Sequence, residues 1–304
     1  MIAFLRKLPV PICSLSLGLA GLGLLLQDYG TACAALGGVL SAIIALLMLL
    51  KLCLCKGILK TVANDPVQFA ALSALPMALM LLSVYAKQLF PAGLALALWL
   101  AAVTGHGCII LAFTVKHILH SSVKGVHAVW FLVYVGIAAA AIAAPAHHMQ
   151  AIAIWLLWFG LLSFALGLGP ISYRYLRYRE IAPPLQPLFC IFAAPASLCL
   201  VGYLQSAAVP TAPVVAGLLA LSIVLYLPAL AVMARLVAGA FFPTHAAFTF
   251  PFVVSATALR QATAFLLAAG YPLAWLQGFV FVETGLAALL CVIVFVRYLR
   301  FLTC

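Results

Sequence analysis

The chain has 304 residues, of which 68% are hydrophobic and only 6% are charged, and its mean hydropathy is +1.31. A soluble domain carries roughly 25% charged residues, so this composition excludes an ordinary soluble globular protein. The formal net charge of +11 comes from 15 basic and 4 acidic residues. We predict an integral membrane protein whose basic residues lie in its loops, with no nucleic-acid partner.

Ten apolar runs, separated by short polar breaks, are each long enough to form a membrane-spanning helix. A bilayer core about 30 Å thick needs about 20 mostly apolar residues per helix. The pattern predicts an all-α protein in which residues 1–304 form a single transmembrane domain. The predicted spans one to ten are, in chain order, Pro9–Leu26, Cys33–Cys55, Pro66–Ala86, Pro91–Leu119, Val129–Ala144, Met149–Pro170, Pro184–Gln205, Val214–Leu236, Ala246–Gly270 and Pro272–Val296.

The basic residues fall almost entirely in alternate breaks between these spans. Thirteen of them lie at one end of the predicted helices, whereas only Lys87 lies at the other end. Since Lys and Arg in short loops stay on the cytoplasmic side, the asymmetry predicts cytoplasmic chain termini in a multi-pass protein of the inner (plasma) membrane. The run "RYLRYRE", Arg174 to Glu180, is interpreted as a cytoplasmic loop near anionic headgroups.

Acidic residues are too few for most hydrolytic or metal-dependent chemistry. Asp28, Asp65, Glu180 and Glu283 are the whole set, and only Glu283 falls inside a predicted span. Such chemistry usually needs clustered carboxylates, or a nucleophile with a base and an orienting partner. We therefore expect neither an enzyme nor a metal or cofactor site.

Three ionisable side chains are predicted to lie inside the membrane. Arg260 in span nine and Glu283 in span ten each lie about 15 Å below the outer surface, at about 1.5 Å per residue. Because an unpaired charge at the bilayer centre costs at least about 2.5–3.5 kcal/mol, we predict that the two pair. A structural pair would fix helix nine against helix ten. Alternatively, Arg260 offers positive potential to an anion, and Glu283 tunes that potential or carries a proton. His106, in "TGHG" of span four, is either hydrogen-bonded between helices or functional.

Prolines and small hydroxyl residues mark the odd-numbered spans. Pro76, Pro195 and Pro251 lie inside spans three, seven and nine, with Pro228 in span eight as the exception. In a membrane, such helix breaks persist where neighbours or water satisfy the freed carbonyls, as they do around a polar cavity. The pattern favours a pore lined by odd-numbered helices, although small residues also mediate ordinary helix packing. The candidate pore-lining residues are Ser16, Pro76, Pro195, Pro251, Ser255 and Thr257.

Four stretches carry a resemblance to a known family. They are "SLGLAGLG" in span one, "DPVQFAALSALPMAL" leading into span three, "APASLCLVGYL" in span seven and "FTFPFVVSATA" in span nine. With the ten-span pattern, they resemble the tellurite-resistance/dicarboxylate transporter family, which includes bacterial TehA, fungal malate transporters and sulfite exporters, and the plant guard-cell slow anion channels. The resemblance implies five helical hairpins around a central pore, with odd-numbered helices inside, in a homotrimer with one pore per subunit.

The resemblance also implies a gate. A phenylalanine of helix nine blocks the pore in this family, and the matching residue here is Phe250. From its spacing alone, Phe250 is more readily interpreted as a packed core aromatic. Phe248 lies about 200° further around the helix and should face elsewhere. Where related chains often have a mid-helix proline, this chain has Ser16 and Val133, so milder kinks are expected in helices one and five.

We therefore predict transport of small inorganic or organic anions across the bilayer, through a narrow, weakly electropositive pore closed by an aromatic side chain. The alternative is a proton-coupled carrier or exporter of malate-like C4-dicarboxylates or of sulfite, linked to tellurite resistance. In that case Glu283 or His106 would be the titrating group. A membrane scaffold or receptor is a third class, which the intramembrane polar residues disfavour.

Overall fold

The computed structural model describes residues 2–120 and 122–303, and within these ranges the chain is helical with no β-strand. Nine helices in the described part are long and apolar enough to cross a membrane, and Ile12–Leu25 is a shorter apolar helix of 14 residues. They follow the order of the predicted spans and confirm an all-helical membrane protein. Helices one to ten are Ile12–Leu25, Thr31–Leu54, Pro66–Leu89, Ala92–Lys116, Trp130–His147, Gln150–Arg177, Pro183–Ser206, Ala212–Leu236, Pro243–Ala268 and Leu276–Thr303.

Two helices extend seven residues past the C-terminal ends of their predicted spans. Pro170 lies inside helix six, which continues to Arg177, and helix ten continues past Val296 to Thr303. Prolines are tolerated inside membrane helices, so the prediction that helix six ends at Pro170 is wrong. The basic residues Arg174 and Arg177 therefore belong to the last turns of helix six and not to a loop.

The odd-numbered helices form a closed inner ring. Helix one packs on helix three, three on five, five on seven, seven on nine, and nine again on one. Each even-numbered helix lies outside this ring, against the odd-numbered helix that precedes it and the next one around the ring. Five hairpins thus surround a central axis, as the resemblance implies.

The two rings differ in what their side chains contact. In helices three, five, seven and nine, 67% to 89% of the central residues are buried, against 22% to 33% in the even-numbered helices. The outer helices instead expose large apolar side chains such as Leu46, Trp155 and Val282. Apolar side chains on that surface suit contact with lipid tails, because lipid imposes no hydrophobic penalty on them.

Four helices of the inner ring are interrupted. Helix three breaks at Ser73, between the α-helices Pro66–Leu72 and Ala74–Leu89. Helix five changes to a 3-10 turn at Val135–Ala138, although no proline stands at this point. Helix seven begins with the 3-10 segment Pro183–Ala193, and helix nine with Pro243–Phe248. The outer helices are single α-helices of 24 to 28 residues.

Candidate functional site

A cavity of about 220 Å³ lies at one end of the inner ring, and all five odd-numbered helices contribute to its wall. Helices one, three, five and seven contribute their C-terminal parts, so these four run in the same direction. Helix nine contributes its middle turns, and it runs in the same direction as helix one because Thr249 bonds Ser14 and Arg260 bonds Leu25. We call this cavity the vestibule. Its polar lining residues are Gln27, Gln205, Thr257, Arg260 and Gln261.

A second cavity of about 10 Å³ lies between helices three, five, seven and nine. We call it the chamber. Its volume is close to the minimum that one water molecule requires. Its walls are apolar, and they include Met77, Phe131, Val135, Ile191, Pro195 and Leu198.

Phe250 borders both cavities, and no other described residue is shared between these two linings. Its side chain is 3% exposed. Phe250 is the first residue of the α-helix Phe250–Ala268, and it follows Thr249, whose backbone angles of φ −96° and ψ −86° are not helical. The interruption of helix nine therefore ends at the residue that borders both the vestibule and the chamber.

Two glycines of helix one allow helix nine to approach closely at this level. A Cβ atom on Gly18 would lie 2.6 Å from Thr249 Cβ and 3.0 Å from the Phe250 backbone nitrogen. A Cβ atom on Gly21 would lie 3.2 Å from a methyl group of Val253. The position of Phe250 therefore depends on small residues in the neighbouring helix.

The hydroxyls of Ser16 and Ser255, which the sequence predicts to line a pore, bond other protein groups, and neither residue borders the vestibule or the chamber. Ser16 Oγ donates to the Ser41 carbonyl of helix two over 2.9 Å. Ser255 Oγ donates to the Ala193 carbonyl over 3.0 Å, where the 3-10 segment of helix seven ends. Ser197 Oγ donates to the same carbonyl over 2.8 Å. Hydroxyls in the inner ring thus satisfy backbone groups, because lipid offers those groups no partner.

The three candidate prolines lie near the start of α-helical segments. Pro195 and Pro251 are each the second residue of their segments, and Pro76 is the third residue of Ala74–Leu89. The first N–H groups of a helix have no intrahelical partner, so proline costs no hydrogen bond at these positions. Pro195 borders the chamber, whereas Pro76 and Pro251 border neither cavity.

Arg260 borders the vestibule but pairs differently from the prediction. Its Nη1 donates to Asp28 Oδ2 over 3.0 Å and to the Leu25 carbonyl over 2.9 Å. Thr257, one turn earlier, also lines the vestibule and donates its hydroxyl to the Val253 carbonyl. The predicted pairing of Arg260 with Glu283 is wrong, because Arg260 faces the axis from the inner ring.

Glu283 lies on helix ten in the outer ring and borders neither cavity. It is half-buried, and it makes no ion pair or hydrogen bond within residues 2–120 and 122–303. Tyr226 of helix eight lies close enough to interact with it electrostatically. Glu283 and Arg260 are predicted to pair because they lie at a similar depth in the membrane. Depth does not determine the direction in which a side chain faces, and the two side chains do not pair.

His106 is fully buried between helix four and the interruption of helix five. Its Nε2 donates to the Val133 carbonyl over 2.9 Å. A Cβ atom on Gly136 would lie 3.0 Å from the His106 ring, so the 3-10 turn packs directly against it. The structure thus places His106 in an interhelical hydrogen bond, outside both cavities.

Sequence reasoning missed the vestibule's other polar residues. Gln205 Nε2 donates to Gln261 Oε1 over 3.2 Å, and Asp28 holds Arg260 from the turn after helix one. Gln27 lines the same wall. A sequence signal existed, because Gln27 directly follows span one and Gln205 is the last residue of span seven.

A comparison with models of known families finds a match to the family described as voltage-dependent anion channel (SLAC1), over residues 7–299. The chain belongs to the SLAC1 family. A search of individually curated proteins finds no match. Membership of the SLAC1 family identifies the chain as a membrane protein that transports anions, and it agrees with the resemblance carried by spans one, three, seven and nine.

Proposed function

We propose that the protein is an anion channel whose pathway follows the axis of the inner ring, and that the Phe250 ring closes it. The observation that carries this proposal is that Phe250 borders both the vestibule and the chamber. A change of its side-chain rotamer would join the two cavities. An apolar constriction closes a pore by excluding water as well as by blocking it sterically.

The vestibule supports small anions as the transported species. Arg260 supplies a positive charge, and Gln27, Gln205 and Gln261 supply amide groups that replace part of an anion's hydration shell. Asp28 already pairs with Arg260, so the remaining attraction is weak. Weak binding is what conduction requires, because an ion that is held tightly leaves slowly.

A flux assay tests the gate. The purified protein is reconstituted in liposomes, and chloride, nitrate, sulfite and malate fluxes are compared for the parent and Phe250→Ala. Removing a barrier of about 1.4 kcal/mol raises a rate tenfold, so we expect the variant to conduct at least one of these anions roughly tenfold faster or more.

Phe252→Ala is the matched control. Phe252 lies two residues further along the same helix, is 1% exposed, and packs against Tyr226 of helix eight with ring centroids 5.4 Å apart. Both variants remove a buried phenyl ring, but only one ring faces the axis. Equal fluxes from the two variants, each corrected for the amount of folded protein, would show that Phe250 is not the gate.

Proton-coupled carriage of C4-dicarboxylate or sulfite has less support. Neither Glu283 nor His106 borders the vestibule or the chamber, so neither group is in position to exchange protons with a passing substrate. A channel moves charge without a proton gradient, whereas a carrier saturates and loses coupling in Glu283→Gln.

We also propose a homotrimer with one pathway per subunit in the inner (plasma) membrane, with both chain termini in the cytoplasm. Support for the assembly comes from the resemblance described above. Support for the orientation comes from the basic residues, which cluster at the end of the helices away from the vestibule.

A further inference from the structure

A basic cavity lies at the opposite end of the molecule from the vestibule. Its volume is about 440 Å³, and it lies where helix six ends and the chain leads into helix seven. Helix seven begins here and ends at the vestibule, which places the two cavities at opposite ends of the helices. We call it the basic cavity, and its lining residues are Lys124, Arg174, Arg177, Tyr178, Arg179 and Glu180.

Arg174 is a buried cation without an anionic partner. Its side chain is 5% exposed, and no carboxylate within the described ranges lies in ion-pair distance of it. Its Nε donates to the Lys124 carbonyl over 3.4 Å and its Nη1 to the Tyr178 carbonyl over 3.5 Å, both near the upper limit for a hydrogen bond. Burial of an unpaired charge is costly, so this guanidinium needs an anion.

Aromatic rings hold the other cations beside Arg174. Lys124 Nζ lies 5.3 Å from the centre of the Tyr178 ring, and Arg177 Cζ lies 5.7 Å from the same centre. Arg174 Cζ lies 4.9 Å from the centre of the Tyr175 ring. Such contacts orient a cation without neutralising it. Two cations thus contact the same Tyr178 ring.

The groups around the basic cavity leave its positive charge uncompensated. Glu180 is the only acidic residue in its lining; it is exposed and forms no ion pair with another described residue. His127 lies close to Arg174, and burial, with a smaller contribution from the Arg174 charge, lowers the pKa of His127 to about 4. His127 is therefore neutral at neutral pH. Four basic residues thus face one carboxylate.

We propose that the basic cavity binds a phosphate-bearing anion, either the phosphodiester headgroup of an anionic phospholipid or inorganic phosphate. Arginine presents a planar fork of N–H donors that matches phosphate oxygens, and lysine adds a point charge. Tyr173 and Leu176, on the same turns of helix six, are exposed at 55% and 73%. A lipid whose tails cover that apolar face would bring its headgroup to the cavity.

Thermal unfolding of the purified full chain in a neutral detergent tests this site. Phosphatidylglycerol, phosphatidylcholine and inorganic phosphate are titrated separately. We expect a saturable rise in the unfolding temperature with phosphatidylglycerol or with inorganic phosphate and none with phosphatidylcholine, because binding to the folded state raises its apparent stability. A rise with phosphatidylglycerol alone identifies a lipid headgroup, and a rise with inorganic phosphate identifies a soluble ligand.

The variant Lys124→Gln with Arg177→Gln removes two exposed cations and leaves buried Arg174 in place, so that folding is preserved. We expect it to weaken binding by roughly thirtyfold, from the typical contribution of each basic residue near an anionic headgroup. The control, Lys56→Gln with Lys60→Gln, removes the same charge from exposed positions outside the cavity and should bind like the parent. Equal weakening in both double variants, or no rise in the parent with phosphatidylglycerol or with inorganic phosphate, would overturn the proposal.

Discussion

The inner and outer rings satisfy their backbone hydrogen-bonding groups in two different ways. The outer helices are uninterrupted over 24 to 28 residues, so their backbone groups pair within each helix. Four inner helices are interrupted, and hydroxyls at the interruptions of helices seven and nine donate to backbone carbonyls. Ser197 and Ser255 both donate to the Ala193 carbonyl, and Thr249 donates across to the Ser14 carbonyl of helix one.

Hydroxyls at the interruptions of the inner ring can connect different helices. Ser222 on outer helix eight bonds only its own helix, at the Leu219 carbonyl three residues earlier. Ser255 and Thr249 of helix nine instead donate to carbonyls of helices seven and one. Interruptions therefore persist where the ring is packed closely enough for such contacts, and that same ring contains the vestibule and the chamber.

The largest expected effect of a single substitution is at Gly18. A new Cβ atom would meet Thr249 Cβ at 2.6 Å and the Phe250 nitrogen at 3.0 Å, and neither atom rotates away. We expect Gly18→Ala to lower the free energy of unfolding by about 3 kcal/mol, at the upper end for overpacking.

Gly217→Ala on helix eight is the outer-ring control, since no atom lies within 4 Å of the added Cβ. We expect it to leave stability unchanged or raise it by up to about 1 kcal/mol, because alanine favours a helix over glycine. The two purified variants are compared by chemical unfolding in detergent. Equal losses of unfolding free energy in Gly18→Ala and Gly217→Ala would mean that the two rings are packed alike.

A smaller effect is expected from the hydroxyls at the helix-seven interruption. Ser197→Ala or Ser255→Ala alone leaves the Ala193 carbonyl one side-chain donor, so each should cost about 0.6 kcal/mol. The double substitution leaves no side-chain donor and should cost about 2 kcal/mol, more than the sum of the single effects.

Ser222→Ala on helix eight provides the comparison, because its hydroxyl bonds only its own helix. The free energy of unfolding is measured for the two single variants, the double variant and Ser222→Ala. Two results together would contradict the distinction between the rings. The losses of unfolding free energy for Ser197→Ala and Ser255→Ala would be strictly additive, and Ser222→Ala would cost as much as either.

The smallest expected effect concerns the charge of the vestibule. Asp28→Asn frees the Arg260 charge and should raise chloride flux roughly twofold at low ionic strength, since exposed ion pairs contribute little. At about 1 M salt, where the screening length is about 3 Å, the difference should vanish. Arg260→Gln should change the flux in the opposite direction. An increase that is independent of salt would contradict the electrostatic explanation.

Much of the ring organisation could be predicted from the sequence. Apolar runs and basic residues indicated the helices, and prolines indicated three of the interruptions. The direction in which a side chain faces could not be predicted. The depth of Arg260 follows from its position along the helix, but its partner Asp28 depends on how the ring closes. The sequence predicts Ser255 as a pore residue. Its hydrogen bond to the Ala193 carbonyl could not be predicted, because that bond depends on the interruption of helix seven.

The most direct measurement is the conductance of single channels in planar bilayers for the parent, Phe250→Leu and Phe250→Ala. If the Phe250 ring closes the path between the vestibule and the chamber, conductance should rise as the side chain becomes smaller, with Phe250→Ala highest and the parent lowest. A conductance that is the same in all three proteins, or that falls as the side chain shrinks, would contradict the assignment of Phe250 as the gate.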